Sequence, residues 1–333
     1  MTQFPELKRR DICGALLGTA LLGTGGLASA QSYPARPIRI LVPFTPGGSA
    51  DLLARSIGTE LAKAFNQPVV IENLAGAGGT VATERAARSP ADGYTLFMGH
   101  TGTLAVNPSL YPKMGLNPTR AFAPVAWVAR VPNILVVHPS VPARSLKELV
   151  ALMKSKPGAL SYGSGGNGSA AHITMEFLKM QTGTSALHIP YRGTAPSVND
   201  LLAGQLQILF TGAPALMPFI KGGKMIPIAI SSPRRIKVLP DVPTVAESGV
   251  PGTAGFEADQ WYGLVAPAGT PAEIIAKLNL QINASLNSEE VSKRMAAEGA
   301  EPTPTTPQAF GQLIDKELAR WTQVVKQAKV TVD

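Results

Sequence analysis

One stretch constrains this chain more than any other: Ile38 to Asp51, IRILVPFTPGGSAD. It begins as a run of apolar, β-favouring residues, which reads as a buried parallel strand. It breaks at Pro43-Phe44-Thr45-Pro46, passes Gly47 and Gly48, and opens a helix at Ser49. Ser49 is expected as the N-cap, Asp51 falls in the first turn, and Leu53, Ile57, Leu61 and Phe65 recur at one-turn spacing. A strand, a glycine loop and a helix N-terminus together aim free backbone N–H groups at one point, which suits a carboxylate or phosphate. A tight βα connection without a ligand uses glycines in the same way and is the rival reading. The device recurs 120 residues after Ser49: strand Leu160–Gly163, the loop Gly163-Ser164-Gly165-Gly166-Asn167-Gly168, and a helix from Ser169. Two such termini can face each other across a cleft and share one anion.

Strands and helices alternate around both. Val69–Asn73, the glycine loop Gly76-Ala77-Gly78-Gly79, a helix from Thr80 to Arg88 and the strand Tyr94–Met98 complete a βαβαβ pattern. That last strand runs into the small polar loop Gly99-His100-Thr101-Gly102-Thr103. Ligands of open parallel sheets sit beyond strand carboxyl ends, where three of these loops lie. Val125–Arg130 and Ile134–His138 read as a crossing into a second domain, and the Pro- and Gly-rich stretch Pro240–Gly255 as the return. In between come a helix capped by Ser145 and the strands Ala186–Tyr191, Leu206–Phe210 and Ile226–Ser231. After the return come the strand Trp261–Ala266 and helices from about Pro271, Glu289 and Pro307. The expected division is residues 31–130 and 241–333 for one α/β domain and 131–240 for the other, able to close like a hinge.

Residues 1–30 read as an export signal. Lys8, Arg9 and Arg10 form a basic start, Ile12 to Leu27 is apolar, and Ala28-Ser29-Ala30 fits a cleavage site, so a mature chain begins near Gln31. The pair Arg9-Arg10 fits a twin-arginine or an ordinary secretory signal. The single cysteine, Cys13, would be removed with it, which excludes disulfides. The signal's three basic and two acidic residues leave +7 of the formal +8. A basic balance in an exported protein favours anionic solutes. The basic residues are scattered, without the aromatic interleaving of a nucleic-acid surface.

Chemistry-bearing motifs are sparse. Gly163-x-Gly165-x-x-Gly168 matches a dinucleotide fingerprint, but the strand Ala186–Tyr191 lacks the acidic residue that would hold the ribose. Neither a phosphate-loop Gly-x-x-x-x-Gly-Lys-Ser/Thr nor a Gly-x-Ser-x-Gly elbow is present. The four histidines, His100, His138, His172 and His188, show no metal-ligand spacing. His172 falls in the first turn after Ser169, where a cleft role competes with packing, and His100 at a strand end could touch a ligand. Phe44 and Trp261 are strand-end aromatics, more often core than cleft wall. Tyr191-Arg192-Gly193 ends a strand, and Arg192 could hold a carboxylate bidentately or stay solvated.

The chain resembles the Bug, or TctC-type, solute receptors of tripartite tricarboxylate transporters. The resemblance is carried by Tyr33-Pro34-x-Arg36-Pro37-Ile38-Arg39, Val42-Pro43-Phe44-x-Pro46-Gly47-Gly48-Ser49-x-Asp51, Val70-Ile71-Glu72-Asn73 with Gly76-Ala77-Gly78-Gly79, and Asp92-Gly93-Tyr94-Thr95-Leu96. It continues through Asn107-Pro108-Ser109-Leu110-Tyr111, His188-Ile189-Pro190-Tyr191-Arg192-Gly193, Pro240-Asp241-Val242-Pro243-Thr244, and Trp261-Tyr262-Gly263-Leu264 with Ala266-Pro267-Ala268-Gly269-Thr270-Pro271. It covers essentially the whole mature chain in order. It implies a type II periplasmic-binding-protein fold: two α/β domains joined by two crossing segments around a central cleft. It also implies that the loops Phe44–Asp51 and Ser164–Ser169 bracket a ligand carboxylate through backbone N–H groups and ordered water. Members usually carry Lys where this chain has Arg192, and often Asp where it has Thr211, which weakens any assignment to an amino-acid ligand.

The residues and the resemblance together point to ligand contacts at Phe44, Gly47, Gly48, Ser49 and Asp51, at Gly78, and at His100 and Thr101. From the other domain they point to Ser164, Gly165, Gly168, Ser169, His172, Tyr191 and Thr211. The expected function is capture of a small organic carboxylate in the periplasm, by a monomer that passes it to permease subunits of a tripartite tricarboxylate-type transporter. No enzyme chemistry, cofactor, metal or nucleic acid is expected. A sensory or scavenging receptor shares these features, and a hydrolase or nucleotide-dependent enzyme of similar layout would need a nucleophile–base pair or cofactor motif beside the glycine loops.

Overall fold

The computed structural model describes residues 1–2, 33–328 and 330–331. The export-signal reading falls on residues that lie, apart from the first two, outside this set. Arg36–Asp333 forms one compact unit and Met1–Ala35 another. In chain order the elements are β1 (Ile38–Val42), α1 (Ser49–Phe65), β2 (Val69–Asn73), α2 (Thr80–Ala87), β3 (Thr95–His100), α3 (Asn107–Leu110), α4 (Pro118–Ala121), β4 (Phe122–Val131), β5 (Asn133–Val137), α5 (Leu146–Ser155), β6 (Ser161–Ser164) and α6 (Ala170–Thr182). Then follow β7 (Leu187–Pro190), α7 (Thr194–Leu202), β8 (Ile208–Gly212), α8 (Ala213–Lys221), β9 (Ile226–Ile230), β10 (Gln260–Pro267), α9 (Ala272–Asn287), α10 (Glu289–Ala297), β11 (Glu301–Pro302) and α11 (Pro307–Gln327).

The strands make two sheets, each the centre of a lobe. The first has the order β11-β4-β10-β3-β1-β2, the second β7-β6-β8-β5-β9. Both are mixed: the three strands of the βαβαβ pattern are parallel as expected, but antiparallel strands complete each sheet. β1 is parallel to β2 and β3, but β10 runs antiparallel to β3 and β4. In the second sheet β6 is parallel to β7 and β8, while β5 is antiparallel to β8 and β9. The antiparallel strands are those that pass between the lobes. Only Pro132 separates β4 from β5, and without an N–H it cannot continue a ladder. The chain returns between Ile230 and Gln260.

The two passages are stapled together. Asn133 N donates to Ser231 Oγ (2.8 Å), Ser231 N to the Asn133 carbonyl (2.9 Å), and Asn133 Nδ2 to the Ala258 carbonyl (2.7 Å). Gln260 Nε2 donates to Asn133 Oδ1, and Arg130 pairs with Asp259 at 2.6 Å. Every member of this chain except Arg130 is buried, so the polar groups there pair with one another where the chain crosses between the lobes.

β10 is fixed by its apolar side. Trp261 stacks edge-on with Phe310 of α11 (centroids 5.7 Å), and the Trp261 and Trp321 indole N–H groups both donate to buried Glu317. Gly263 leaves room for the Phe310 ring against the strand. Burying aromatics of this size contributes on the order of 2 kcal/mol each. With Trp261 committed to the core, strand alternation turns Gln260 and Tyr262 to the opposite face, toward the cleft.

Two local expectations change. Gly48, extended at φ −83° and ψ 168°, is the N-cap of α1, and Ser49 is the first helical residue. The stretch after β3 is no loose loop: Thr101–Val106 forms a π-helical turn capped reciprocally by His100 and Thr103.

Candidate functional site

The N-termini of two helices, one from each lobe, meet at a nearly closed cavity of about 10 Å³. Gly48, Ser49 and Ala50 bring α1, and Ser169, Ala170 and Ala171 bring α6. The first α1 hydrogen bond is Leu52 N to the Gly48 carbonyl (3.0 Å), so the N–H groups of Ser49 and Ala50 lie outside the helical ladder. In α6 the Ser169 hydroxyl accepts from His172 N and its carbonyl from Ile173 N, which leaves Ala170 and Ala171 N–H outside the ladder. Each helix end adds roughly half a positive charge. Phe44, His100, Gln260 and Tyr262 complete the wall on the first lobe, and Gly165, Thr194 and Thr211 on the second.

Both loops that lead into these helix ends are braced from behind. The buried Asp51 carboxylate accepts from Gly47 N, Arg55 Nε and Asn73 Nδ2, each at 3.0 Å. Burial pushes its pKa up, but the Arg55, Gly47 and Asn73 donors outweigh this and hold the carboxyl below its ordinary value. Behind the second loop, Ser164 Oγ lies 2.6 Å from His188 Nε2 and accepts from Gly166 N, while Gly168 N donates to His172 Nδ1 (3.1 Å). His172 and His188 stack at 4.1 Å, and Tyr162 covers the other side of His188 at 4.8 Å. Burial lowers the pKa of His172 to about 4 and of His188 to about 3. Both are therefore neutral at physiological pH. The close Ser164–His188 pair could look like a nucleophile and base. Ser164 is 1% exposed and absent from the cavity wall, so the pair shapes the loop instead.

His100 is the one titratable side chain of the wall besides Tyr262. Its Nδ1 accepts from Thr103 N (3.2 Å), so a neutral ring carries its proton on Nε2. It sits between Phe44, edge-on at 5.0 Å, and Tyr262, stacked at 5.6 Å. Burial lowers its pKa to about 3. Tyr262 donates to Gln260 Oε1 (2.5 Å), which links the cavity wall to the crossing between the lobes through Asn133.

The lobes meet on both flanks of the cavity. On one, Gly47 and Gly48 face Ala195 and Thr194, and Thr45 N donates to the Arg192 carbonyl (3.4 Å). On the other, Tyr111 OH donates to the Asn167 carbonyl (2.9 Å) beside Gly78, whose φ of +61° and contact with Asn167 exclude a side chain.

Of the residues singled out from sequence, Phe44, Gly48, Ser49, His100, Gly165, Ser169 and Thr211 line the cavity. The others stand behind or beside it. Gly47 gives its N–H to Asp51, Gly78 forms the flank, and Thr101 Oγ1 accepts from Trp261 N (3.0 Å). Ser164, Gly168 and His172 build the second loop, and Tyr191 OH donates to Asp200 (2.5 Å). Arg192 is exposed and off the wall. Sequence reasoning missed Ala50, Ala170, Ala171, Thr194, Gln260 and Tyr262. The last two were detectable as the polar alternates to Trp261.

No group of three or more His, Cys, Asp or Glu among the described residues could hold a metal ion, and no described helix is long and apolar enough to cross a membrane. The family model of the tripartite tricarboxylate transporter family receptor matches residues 53–330. Protein BugT of Bordetella pertussis is 39% identical over 317 residues, covering 95% of this chain and 96% of that protein. Rpa4515 of R. palustris, solved with adipate, is 37% identical with a TM-score of 0.87, covering 90% of this chain and 99% of that one. MatC of Rhodopseudomonas palustris, solved with bound malate, is 35% identical with a TM-score of 0.84, covering 88% and 100%. A cleft between two α/β lobes and a match along most of the chain lead to one conclusion: this chain belongs to the tripartite tricarboxylate transporter receptor family, the Bug or TctC type of periplasmic solute-binding protein.

Proposed function

We propose that this chain captures a small organic carboxylate in the periplasm and delivers it, as a monomer, to the permease subunits of a tripartite tricarboxylate-type transporter. One observation carries the reading: α1 and α6 present unpaired N–H groups to one cavity from opposite lobes. A carboxylate between them accepts from both lobes, so binding and closure reinforce each other. The relatives solved with adipate and malate support the ligand class. The wall holds no nucleophile–base pair, so the ligand leaves unchanged. The division into residues 31–130 with 241–333 and residues 131–240 belongs to this reading, and its first boundary falls at the stapled crossing.

A thermal-shift screen over mono-, di- and tricarboxylates tests the proposal. A ligand that binds only the folded form raises the melting temperature by mass action, about 2.7 kcal/mol of stabilisation at a hundredfold excess over Kd. At least one carboxylate should do so, while uncharged analogues of equal size should not. A flat response to every carboxylate would overturn it.

A further inference from the structure

Charge is divided unevenly along the chain. Residues 131–240 hold eleven Lys and Arg against three Asp and Glu, a net of +8. Residues 31–130 and 241–333 together hold sixteen against seventeen, a net of −1. The positive balance therefore sits on the second lobe. Ten of its eleven basic residues are exposed, and among the described residues only Lys179 and Arg235 are in ion pairs, so most of this charge faces solvent.

A cavity of about 420 Å³ opens where this lobe meets the first, away from the helix N-termini. One wall is Arg234–Val238, anchored by Ile236 in the second lobe's core beside Leu216 and Met217. The facing wall is Ala296 and Gly299–Pro302, where α10 turns into β11 of the first sheet. The walls touch. Gly299, at φ +75°, approaches Ala213 and Ile236 too closely for a side chain, and Lys221 Nζ donates to the Ala297 carbonyl (3.2 Å).

The lining is apolar and the rim is cationic. Ile236, Val238, Ala296, Ala300 and Pro302 supply the apolar surface. Arg235 is held by Glu247 (2.9 Å) and the Pro240 carbonyl (3.0 Å). The exposed Arg234 and Lys237 side chains have no ion-pair or hydrogen-bond partner among the described residues. Glu301, exposed on the facing wall, is the one acidic residue of the lining among the described residues. Such a site suits an apolar side chain flanked by carboxylates. A flat anionic bilayer would meet the cations and leave the apolar lining unfilled. Exposed charge pairs each add little affinity but set the rate of approach and the sign of the partner. Burial of the apolar side chain supplies the affinity. Because the walls come from different lobes, the width of the cavity depends on the angle between them.

We propose that this cavity docks an acidic protein loop of the membrane partner, which inserts an apolar side chain and so reads the closed state. This rests on the receptor reading above and gives its partner a chemistry. By linkage, docking tightens carboxylate binding by the factor by which the carboxylate tightens docking.

Fluorescence anisotropy with two labelled peptides tests it: one leucine between two pairs of glutamates, and the same peptide with glutamines. The acidic peptide should bind at least about tenfold more tightly than the uncharged one, and less tightly as salt rises. Arg234→Glu combined with Lys237→Glu should weaken it by about tenfold or more, and Ala296→Trp, which fills the cavity from an exposed position, should do the same. Lys154→Glu combined with Lys156→Glu, an equal change of net charge at exposed positions near the end of α5, should not. A saturating carboxylate found by thermal shift should tighten the acidic peptide about fivefold or more. Melting temperature and carboxylate affinity, measured without peptide, should be unchanged in every variant. An equal loss in both charge-reversed variants would reduce the effect to net charge and overturn the site. Binding to phosphatidylglycerol vesicles but not to the acidic peptide would replace the protein loop by a bilayer and overturn it too. Peptide affinity indifferent to the carboxylate overturns the reading of the closed state. Failure of the peptide with carboxylate binding intact overturns docking alone, whereas failure of every carboxylate overturns the receptor reading.

Discussion

Tyr111→Phe removes one hydroxyl from the flank where the lobes meet, and its effect can be worked from the geometry. The Tyr111 hydroxyl donates to the Asn167 carbonyl at 2.9 Å, from the first lobe to the glycine loop of the second. Opening the cleft breaks this bond and returns both groups to water, so it stabilises only the closed arrangement. A neutral hydrogen bond contributes about 1 kcal/mol net, within roughly 0.5 to 1.5. One kcal/mol corresponds to about fivefold in an equilibrium constant. The encounter of ligand with the open cleft does not involve the contact. The whole effect should therefore appear as a dissociation rate raised about fivefold, with the association rate unchanged. Stopped-flow fluorescence with a carboxylate found by thermal shift measures both rates, and melting of the unliganded variant controls for folding. An unchanged dissociation rate, or a loss confined to association, would refute the idea that closure over the ligand holds it.

Other outcomes follow from the same geometry. Gly48→Val and Gly165→Val should each weaken binding by about tenfold or more. Gly48 has φ −83° and Gly165 is not at positive φ, so the unliganded melting temperatures should move less than after substitution at Gly47 (φ +88°) or Gly168 (φ +77°). Asp259 has its pKa raised to about 6, first by burial and then by Glu257, against the lowering effects of Arg130 and Ser231. The native state thus holds a proton that the unfolded chain has lost between about pH 4 and 6, and this term makes stability fall as pH rises. The stability of Asp259→Asn relative to wild type should accordingly increase from pH 4 to pH 7.5 by up to roughly 3 kcal/mol, read by urea unfolding. No such increase would place the Asp259 pKa elsewhere. The pKa values of His100, His172 and His188 are lowered by burial to about 3, 4 and 3. Their contribution is complete above about pH 6.5 and is lost as pH falls toward 4. Titration of affinity between pH 6.5 and 8 should show no histidine step. Sequencing of protein recovered from periplasm should read from near Gln31; retention of Met1 on a membrane-bound product would contradict export as a soluble receptor.

The elements that announced themselves did so through local chemistry. Ser145 and Ser169 cap α5 and α6 where their positions before apolar repeats implied. β2 and the starts of the last three helices could be read to within a residue or two. The direction of β10 and β4 could not, because alternation is the same for parallel and antiparallel neighbours. Ser49 looked like a cap because capping statistics favour serine over glycine. Here the extended backbone at Gly48 takes that place, and Ser49 is the first helical residue. The same limit explains the site. Gly47 and Asp51 belong to the right loop, but they bond to each other rather than line the cavity, and a hydrogen bond between them leaves no mark in spacing. Gly78 was noticed as a loop glycine, yet its reason is Asn167, 89 positions away. Gln260 and Tyr262 were passed over for the larger Trp261 between them, although alternation places them on the opposite face.

A crystal structure of the protein with the carboxylate that most raises its melting temperature tests the central claim most directly. The two carboxylate oxygens should lie within about 2.7–3.2 Å of donors on both lobes. These should include the Ser49 or Ala50 N–H at the start of α1 and the Ala170 or Ala171 N–H at the start of α6. A ligand carboxylate bound instead to a basic side chain such as Arg192, or held by one lobe alone with the α1 and α6 amides facing solvent, would contradict it.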